Sequence, residues 1–199
     1  FNQHYKINLK KNIPIGSGLG GGSSNAACTL KALTKLLKLN ISDEDLRNIA
    51  LNIGSDVPFF LNGGSQLIGG RGEIVKKIIK KTNFKELFFL LVCPNFSIST
   101  KWAYEKLKKA LKSNDNEYKF PTLDKKVNWK LFENDFEVVV KTAYPEIMDI
   151  KQTMYDHGAL YSSLSGTGST VFGIYNEEKF ILNTQNELSH YKTYRASPT

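Results

Sequence analysis

Polar and apolar residues change period several times along the chain, and each change marks an element. His4 to Ile15 places Tyr5, Ile7 and Leu9 at alternate positions, the period of a half-buried strand. A glycine-dense stretch follows, and from Ala26 the spacing becomes helical, with Ala27, Leu30, Leu33, Leu36 and Leu37 on one stripe through about Leu39. Ser42 ahead of Asp43, Glu44 and Asp45 predicts a capped helix running to about Asn52, with Gly54 placed to end it in the left-handed conformation. Gly54 to Phe60 then predicts a tight turn with a carboxylate, Asp56, in its middle. Gln66–Gly69 and Glu73–Ile79 predict two strands around Gly70-Arg71-Gly72, and Phe88–Cys93 a buried strand stopped by Pro94.

The second half reads as a helix over Lys101–Leu111, a polar loop over Ser113–Tyr118, and helices at about Trp129–Thr142 and Pro145–His157. Proline in the first turn and Gly158 at the end delimit the last of these. Leu160–Leu164 leads through a second glycine-rich stretch to a strand, Val171–Tyr175, then a helix from about Glu178 and a strand near Tyr191–Arg195. No internal repeat is present, and Lys80-Lys81-Thr82-Asn83 is the expected boundary, dividing the chain into domains 1–82 and 83–199. The order of elements after the boundary suits a small α+β domain.

Composition narrows the class. In 199 residues and 22.4 kDa, apolar residues make up 41% and charged residues 23%, the balance of a globular chain able to bury a core. No apolar run reaches the ~18 residues of a membrane span. Cys28 and Cys93 cannot hold zinc alone and are expected to be buried, reduced thiols. The net charge of +8 rests on 24 Lys against only three Arg, Arg47, Arg71 and Arg195, with 17 Asn beside them. Arginine, whose planar fork reads guanine, is nearly absent, so a nucleic-acid partner is not expected. The basic surface is read as a solvated Lys-rich face, with attraction of a polyphosphate ligand as its alternative.

The strongest chemical signal is Pro14-Ile15-Gly16-Ser17-Gly18-Leu19-Gly20-Gly21-Gly22-Ser23-Ser24-Asn25. So many glycines are costly to order and are retained where a ligand must approach the main chain. The stretch runs straight into a helix, whose free N–H groups and positive dipole end suit a polyphosphate, with Ser23 and Ser24 as added donors or metal ligands. It is not a Walker A loop, because Ser23 rather than Lys follows Gly22. Gly16-x-Gly18-x-x-Gly21 matches the dinucleotide fingerprint formally, but the next element is another helix where that fold needs a strand ending in an acid. The protein-kinase signatures are absent. Asp56 is by its own residues either a turn-former or a candidate base for an attacking alcohol. Gly166-Thr167-Gly168 is either an ordinary turn or a loop near the phosphates. Asn134 and Asp135 are read as structural, His4, His157 and His190 as surface or capping residues, and Trp102 and Trp129 as packing of the second domain.

Pro14 to Ala27 resembles the second motif of the GHMP kinases, P-x-x-x-G-L-G-S/G-S-S-A/N-A. Three further segments are similar to motifs of one branch of that family: Gly54-Ser55-Asp56-Val57-Pro58-Phe59-Phe60, Phe132-Glu133-Asn134-Asp135-Phe136-Glu137 and Leu164-Ser165-Gly166-Thr167-Gly168-Ser169. The resemblance implies an α+β GHMP kinase fold: a domain like ribosomal protein S5 domain 2, incomplete here, and a ferredoxin-like C-terminal domain. It implies ATP and Mg²⁺ as cofactors, with Pro14 to Asn25 on the triphosphate and Ser23 or Ser24 near the metal. Asp56 would be the base and Gly166-Thr167-Gly168 would close on the first loop beside the substrate. The expected reaction phosphorylates a cytidyl-diphosphate polyol of the non-mevalonate isoprenoid route. A sugar, mevalonate or homoserine type, or a binding module without activity, is the alternative.

The expected partners are small molecules, with no membrane, in a bacterial cytoplasm or a plastid-type organelle; the oligomeric state is open. Ser17 and Ser55 stand where the family commonly has Gly and Ala. The family's Lys-containing first motif matches none of the 199 residues, and the chain begins at Phe1. An upstream portion is therefore expected, and the polypeptide as given is expected to be catalytically impaired.

Overall fold

The computed structural model describes residues 4–78, 84–110 and 127–198. Three helices come first: α1 (Gly21–Leu36), α2 (Asp43–Ile53) and α3 (Val57–Asn62). A small antiparallel hairpin follows, β1 (Gln66–Gly69) with β2 (Ile74–Lys77), paired Gln66 to Lys77 and Gly69 to Ile74. After a short 3₁₀ turn, Phe84–Glu86, come β3 (Phe88–Cys93) and α4 (Thr100–Ala110). A second 3₁₀ turn, Trp129–Leu131, precedes α5 (Glu137–Ala143), α6 (Glu146–Asp156), β4 (Tyr161–Leu164), β5 (Val171–Tyr175), α7 (Glu178–Glu187) and β6 (Lys192–Ala196). The four later strands form one antiparallel sheet in the order β4-β5-β3-β6. Read from β3, this is the split βαββαβ arrangement of a ferredoxin-like sandwich. Among the described residues no helix is long and apolar enough to cross a membrane.

Two cores result. Leu90 and Val92 of β3, Val171 and Tyr175 of β5, and Leu164 of β4 turn one sheet face toward Ile147, Ile150 and Met154 of α6 and Ile181 of α7. Gly173 makes this packing possible: a Cβ there would lie 2.8 Å from the Tyr175 ring and 3.0 Å from the Met154 sulfur. The smaller core joins the first three helices through Ala27, Ala50, Val57 and Leu61, with Phe60 and Leu30 against it. Small residues at Ala27 and Ala50, both fully buried, let α1 and α2 approach.

Several expectations need correction. His4 to Ile15 is not a strand: no described strand pairs with it, and Ile7, Leu9 and Ile15 are 63%, 60% and 81% exposed. Alternation alone cannot make a strand, which exists only through the ladder to a neighbour. The first helix starts at Gly21 rather than Ala26 and ends at Leu36, because a helix needs only permissive dihedrals to begin, not an apolar stripe. Gly54 ends α2 in extended backbone, φ 176, not in the left-handed region, and its N–H donates to the Ala50 carbonyl. The turn carrying Asp56 continues into α3. The helix expected over Trp129–Thr142 is two pieces, because Asn134 turns its side chain onto the Phe136 N–H and starts a new helix there. Cys28 is exposed on α1, while Cys93 is buried as expected. The boundary at 82/83 and the polar loop 113–118 lie outside the described residues.

Among the titrating groups, Tyr175 carries the clearest consequence for stability. Its hydroxyl donates to Thr184 Oγ1 at 3.1 Å within the core, and burial pushes its pKa from 10.0 up to about 12. Burial raises Tyr191 to about 12 as well, helped by Glu146 and Asp149. A raised acid pKa means that the folded state keeps its proton where the unfolded chain loses it. The contribution is therefore intact below pH 10 and lost between pH 10 and pH 12. Urea unfolding across that window is expected to show a falling stability, and Tyr175→Phe to flatten part of the fall. A profile equally steep in the variant would refute this.

Candidate functional site

The glycine stretch folds as a ribbon whose direction is set by three left-handed residues, Gly16 (φ 69), Gly18 (φ 78) and Gly20 (φ 62). Gly20 is the N-cap of α1 and offers no side chain, so nothing of its own occupies the helix end. The first intrahelical bond runs from the Ser24 N–H to the Gly20 carbonyl at 2.9 Å. The amides of Gly21, Gly22 and Ser23 thus point beyond the helix, at the positive end of its dipole, with no acid in the first turn to oppose an anion. Ser17 is 6% exposed and donates to the Pro14 carbonyl at 2.8 Å, so its hydroxyl closes the ribbon on itself. Ser24 Oγ donates to the Gly21 carbonyl at 3.1 Å. Lys11 Nζ lies 3.4 Å from the same carbonyl and adds a cation beside the ribbon.

The second glycine-rich turn lies directly against the first. Ser165 Oγ donates to the Gly18 carbonyl at 2.9 Å, and the Thr170 N–H donates to the Ser17 carbonyl at 3.1 Å. The approach is so close that a Cβ on Gly18 would lie 2.1 Å from the Ser165 carbonyl oxygen and 2.8 Å from that of Gly168. Thr167, 9% exposed, bonds Thr100 Oγ1 at 3.2 Å and so ties the turn to the start of α4.

Asp56 sits at the N-cap of α3 without capping it, since its side chain makes no bond to the helix amides. It is exposed, and Ser55 Oγ lies 3.5 Å from its Oδ1. One turn on, Phe60 packs on the ribbon: a Cβ on Gly20 would be 2.7 Å from the Phe60 ring. Asp56 lines a cleft of about 800 Å³ with Ser55, Gly70, Arg71, Gly72 and Glu73 of the hairpin bend, and with Tyr104 of α4. Tyr104, 59% exposed, lies one turn along α4 from Thr100, so the second turn and the wall of this cleft share one helix.

The structure thus brings Pro14 to Asn25 together with Gly166-Thr167-Gly168, and links Asp56 to the ribbon through α3. It does not bring His4, His157 or His190 to the site; His157 ends α6 with Nδ1 on the Thr153 carbonyl. Among the described residues no cluster of three His, Cys, Asp or Glu could hold a metal. Sequence reasoning missed Thr100 and Tyr104, and placed Ser165 in a motif without a role; their placement follows from the fold rather than from local spacing.

The family model described as GHMP kinases N terminal domain matches residues 1–64, and that described as GHMP kinases C terminal matches residues 120–189. A 4-diphosphocytidyl-2-C-methyl-D-erythritol kinase of Prosthecochloris aestuarii is 36% identical over 202 aligned positions, covering 96% of this chain and 67% of that protein. The chain belongs to the GHMP kinase family. The kinase of the same name from Thermodesulfovibrio yellowstonii is 41% identical over 202 positions, with 94% of this chain and 66% of that protein covered. A crystal structure of a 4-(cytidine 5'-diphospho)-2C-methyl-D-erythritol kinase superposes with a TM-score of 0.73 at 25% identity, over 94% of this chain and 68% of that one. A homoserine kinase from Cytophaga hutchinsonii shares the fold, with a TM-score of 0.63 at 16% identity. This GHMP kinase chain spans about two thirds of the length of these relatives.

In a GHMP kinase ribbon built this way, Gly18 tolerates no side chain. Gly18→Ala is expected to part the two turns and weaken ATP binding at least about tenfold, since both positive φ and the 2.1 Å approach oppose a Cβ. Calorimetric titration with ATP checks this, and unchanged affinity would contradict it.

Proposed function

We propose that the protein transfers the γ-phosphoryl group of ATP to the 2-hydroxyl of 4-diphosphocytidyl-2-C-methyl-D-erythritol, a step of the non-mevalonate route to isoprenoid precursors. The observation that carries the reading is an uncommitted carboxylate, Asp56, in an open cleft whose neighbouring helix packs on an anion-ready ribbon. The names of the relatives supply the acceptor, and their bacterial sources favour a cytoplasmic setting. The division of labour follows domains 1–82 and 83–199. The first supplies the ribbon and the base, and the second supplies the turn over the ribbon and one wall of the acceptor cleft.

Phosphoryl transfer asks little covalent work of a protein, so positioning and charge neutralisation carry most of the acceleration. The ribbon's amides receive the phosphate oxygens, and Lys11 adds positive charge at the same end of α1. Asp56 accepts the proton of the attacking hydroxyl and orients its oxygen toward the γ-phosphorus. Mg²⁺ fits these residues only in the manner usual for kinases, shared with the phosphates, because the described residues contain no acidic cage for it. Ser23 or Ser24 hydroxyl oxygens would hold the ion beside the phosphates, whose charge it would neutralise. The cleft's Arg71, Glu73 and Tyr104 give it hydrogen-bonding and aromatic surface for a polar acceptor.

Asp56→Asn keeps the shape and removes the base. In a chain that also carries the family's Lys-containing first motif, turnover of ATP with the cytidyl substrate is expected to fall by the ~10²–10⁴ typical of a lost general base. A fall below tenfold would exclude the role. Mevalonate, homoserine and sugars in the same assay test the acceptor, and preference for any of them over the cytidyl polyol would overturn the substrate assignment.

A further inference from the structure

The segment Phe132 to Glu137 meets the cleft of Asp56 through Phe136, whose ring packs edge-on against Tyr104 at 4.9 Å, while Asn134 and Glu137 spend their polar atoms on one object, the end of β4 and the turn that follows it. β4 is an edge strand of the sheet, so among the described residues no strand pairs with one side of its backbone. Side chains do so instead. Tyr155 Oη accepts from the Ser162 N–H at 3.0 Å and donates to the Ser162 carbonyl at 3.2 Å. Two residues on, Glu137 Oε1 accepts from the Leu164 N–H at 2.9 Å and from Ser163 Oγ at 2.9 Å. Asn134 Nδ2 donates to the Leu164 carbonyl and, again at 2.8 Å, to the Gly166 carbonyl. Asn134 Oδ1 is meanwhile held by the Phe136 N–H at 3.0 Å, and Glu137 Oε2 is paired with Lys151. Both side chains are therefore fixed from behind, and both backbone polar groups of Leu164 are fixed by them.

The next residue, Ser165, makes the 2.9 Å bond to the Gly18 carbonyl. The position of the turn on the phosphate ribbon is thus set at its root by Asn134 and Glu137. We propose that Asn134 and Glu137 are positioning residues of the kinase site, clamping the β4–β5 turn so that it holds the ribbon of Gly16 to Gly22 in its anion-binding shape. The role rests on the phosphoryl-transfer reading above and deepens it, since neither residue lies on the ribbon or in the cleft of Asp56.

The test separates the clamp from a general loss of structure. Asn134→Asp keeps the Oδ1 acceptor for Phe136 but replaces the donor facing the Leu164 and Gly166 carbonyls with an oxygen. Hydrogen exchange of the Ser165, Gly168 and Thr170 amides, each hydrogen-bonded in or across the turns, is expected to speed up about tenfold or more. Amides of β3 should stay within about twofold, and ATP affinity by calorimetry should fall at least about fivefold. Glu137→Gln keeps an acceptor for Leu164 but loses the pairing with Lys151 and is expected to raise exchange and lower affinity clearly less than Glu137→Ala, which should resemble Asn134→Asp. Unchanged exchange in the turns of Asn134→Asp overturns the clamp, as does Glu137→Gln matching Glu137→Ala in damage. Should Asn134→Asp or Glu137→Ala fail to fold, Ser165→Ala, which removes only the contact with Gly18, is expected to loosen the Thr170 amide and weaken ATP; no change in either overturns the proposal. Absence of ATP binding by the unaltered protein would defeat the phosphoryl-transfer reading, while the exchange data would still decide the clamp.

Discussion

Everything at the site depends on one close approach, the packing of two bare backbone turns against each other. Gly18 accepts a hydrogen bond from Ser165, and its missing Cβ leaves the 2.1 Å that the carbonyl of Ser165 needs. A ribbon of glycines has a large conformational entropy to lose and few contacts of its own with which to offset it. It becomes one defined surface because Ser17 closes it on Pro14, Phe60 packs on Gly20 and a second element, attached to a sheet, presses on it. That second element is the hairpin turn between β4 and β5, and its strands are anchored in the larger core through Leu164 and Val171. The glycine ribbon and the sheet are thus a single device, although 147 residues of sequence separate the bonded pair.

The same arrangement explains why the edge of the sheet is polar where one expects exposure. An edge strand invites pairing by another chain unless its free groups are occupied. Tyr155, Glu137 and Asn134 occupy those of β4 one after another, and by doing so fix the strand's end in space. The protection of an edge and the placement of a functional turn are here one set of hydrogen bonds. Lys151 balances the charge of Glu137, so the carboxylate in this half-buried place is not left alone.

What the sequence told well was what local physics decides. The β3 and β5 strands, the Ser42 cap of α2 with its bond to the Asp45 N–H, the Gly158 stop and the hairpin at Gly70 all follow from neighbouring residues. The glycine ribbon was evident as a ribbon for the same reason. What it told badly depends on distant partners. Tyr5, Ile7 and Leu9 alternate like a strand, but pairing decides a strand, and none of the described strands pairs with them. The split of the helix expected over Trp129–Thr142 depends on Asn134 committing its amide to carbonyls 30 and 32 residues away. Helical periodicity cannot register such a commitment. The contact of Tyr104 with the cleft of Asp56 likewise needs the fold, because nothing in its own helix distinguishes it from a surface tyrosine.

The energetics of the join between the two turns bear on how the site works. The helical core of Ala27, Ala50, Val57 and Leu61 and the core against the sheet are separate clusters. Where the glycine turns meet, the contacts are chiefly hydrogen bonds from Ser165 and Thr170. Each such bond contributes only about 0.5–1.5 kcal/mol net, because water competes for the same groups. The paired geometry is therefore held modestly, and a ligand that engages both turns stabilises it by mass action as RT ln(1 + [L]/Kd). For a ligand that touches both turns, binding and the pairing of the turns would for that reason be one thermodynamic event. A residue at the root of the second turn would then act on such a ligand without touching it.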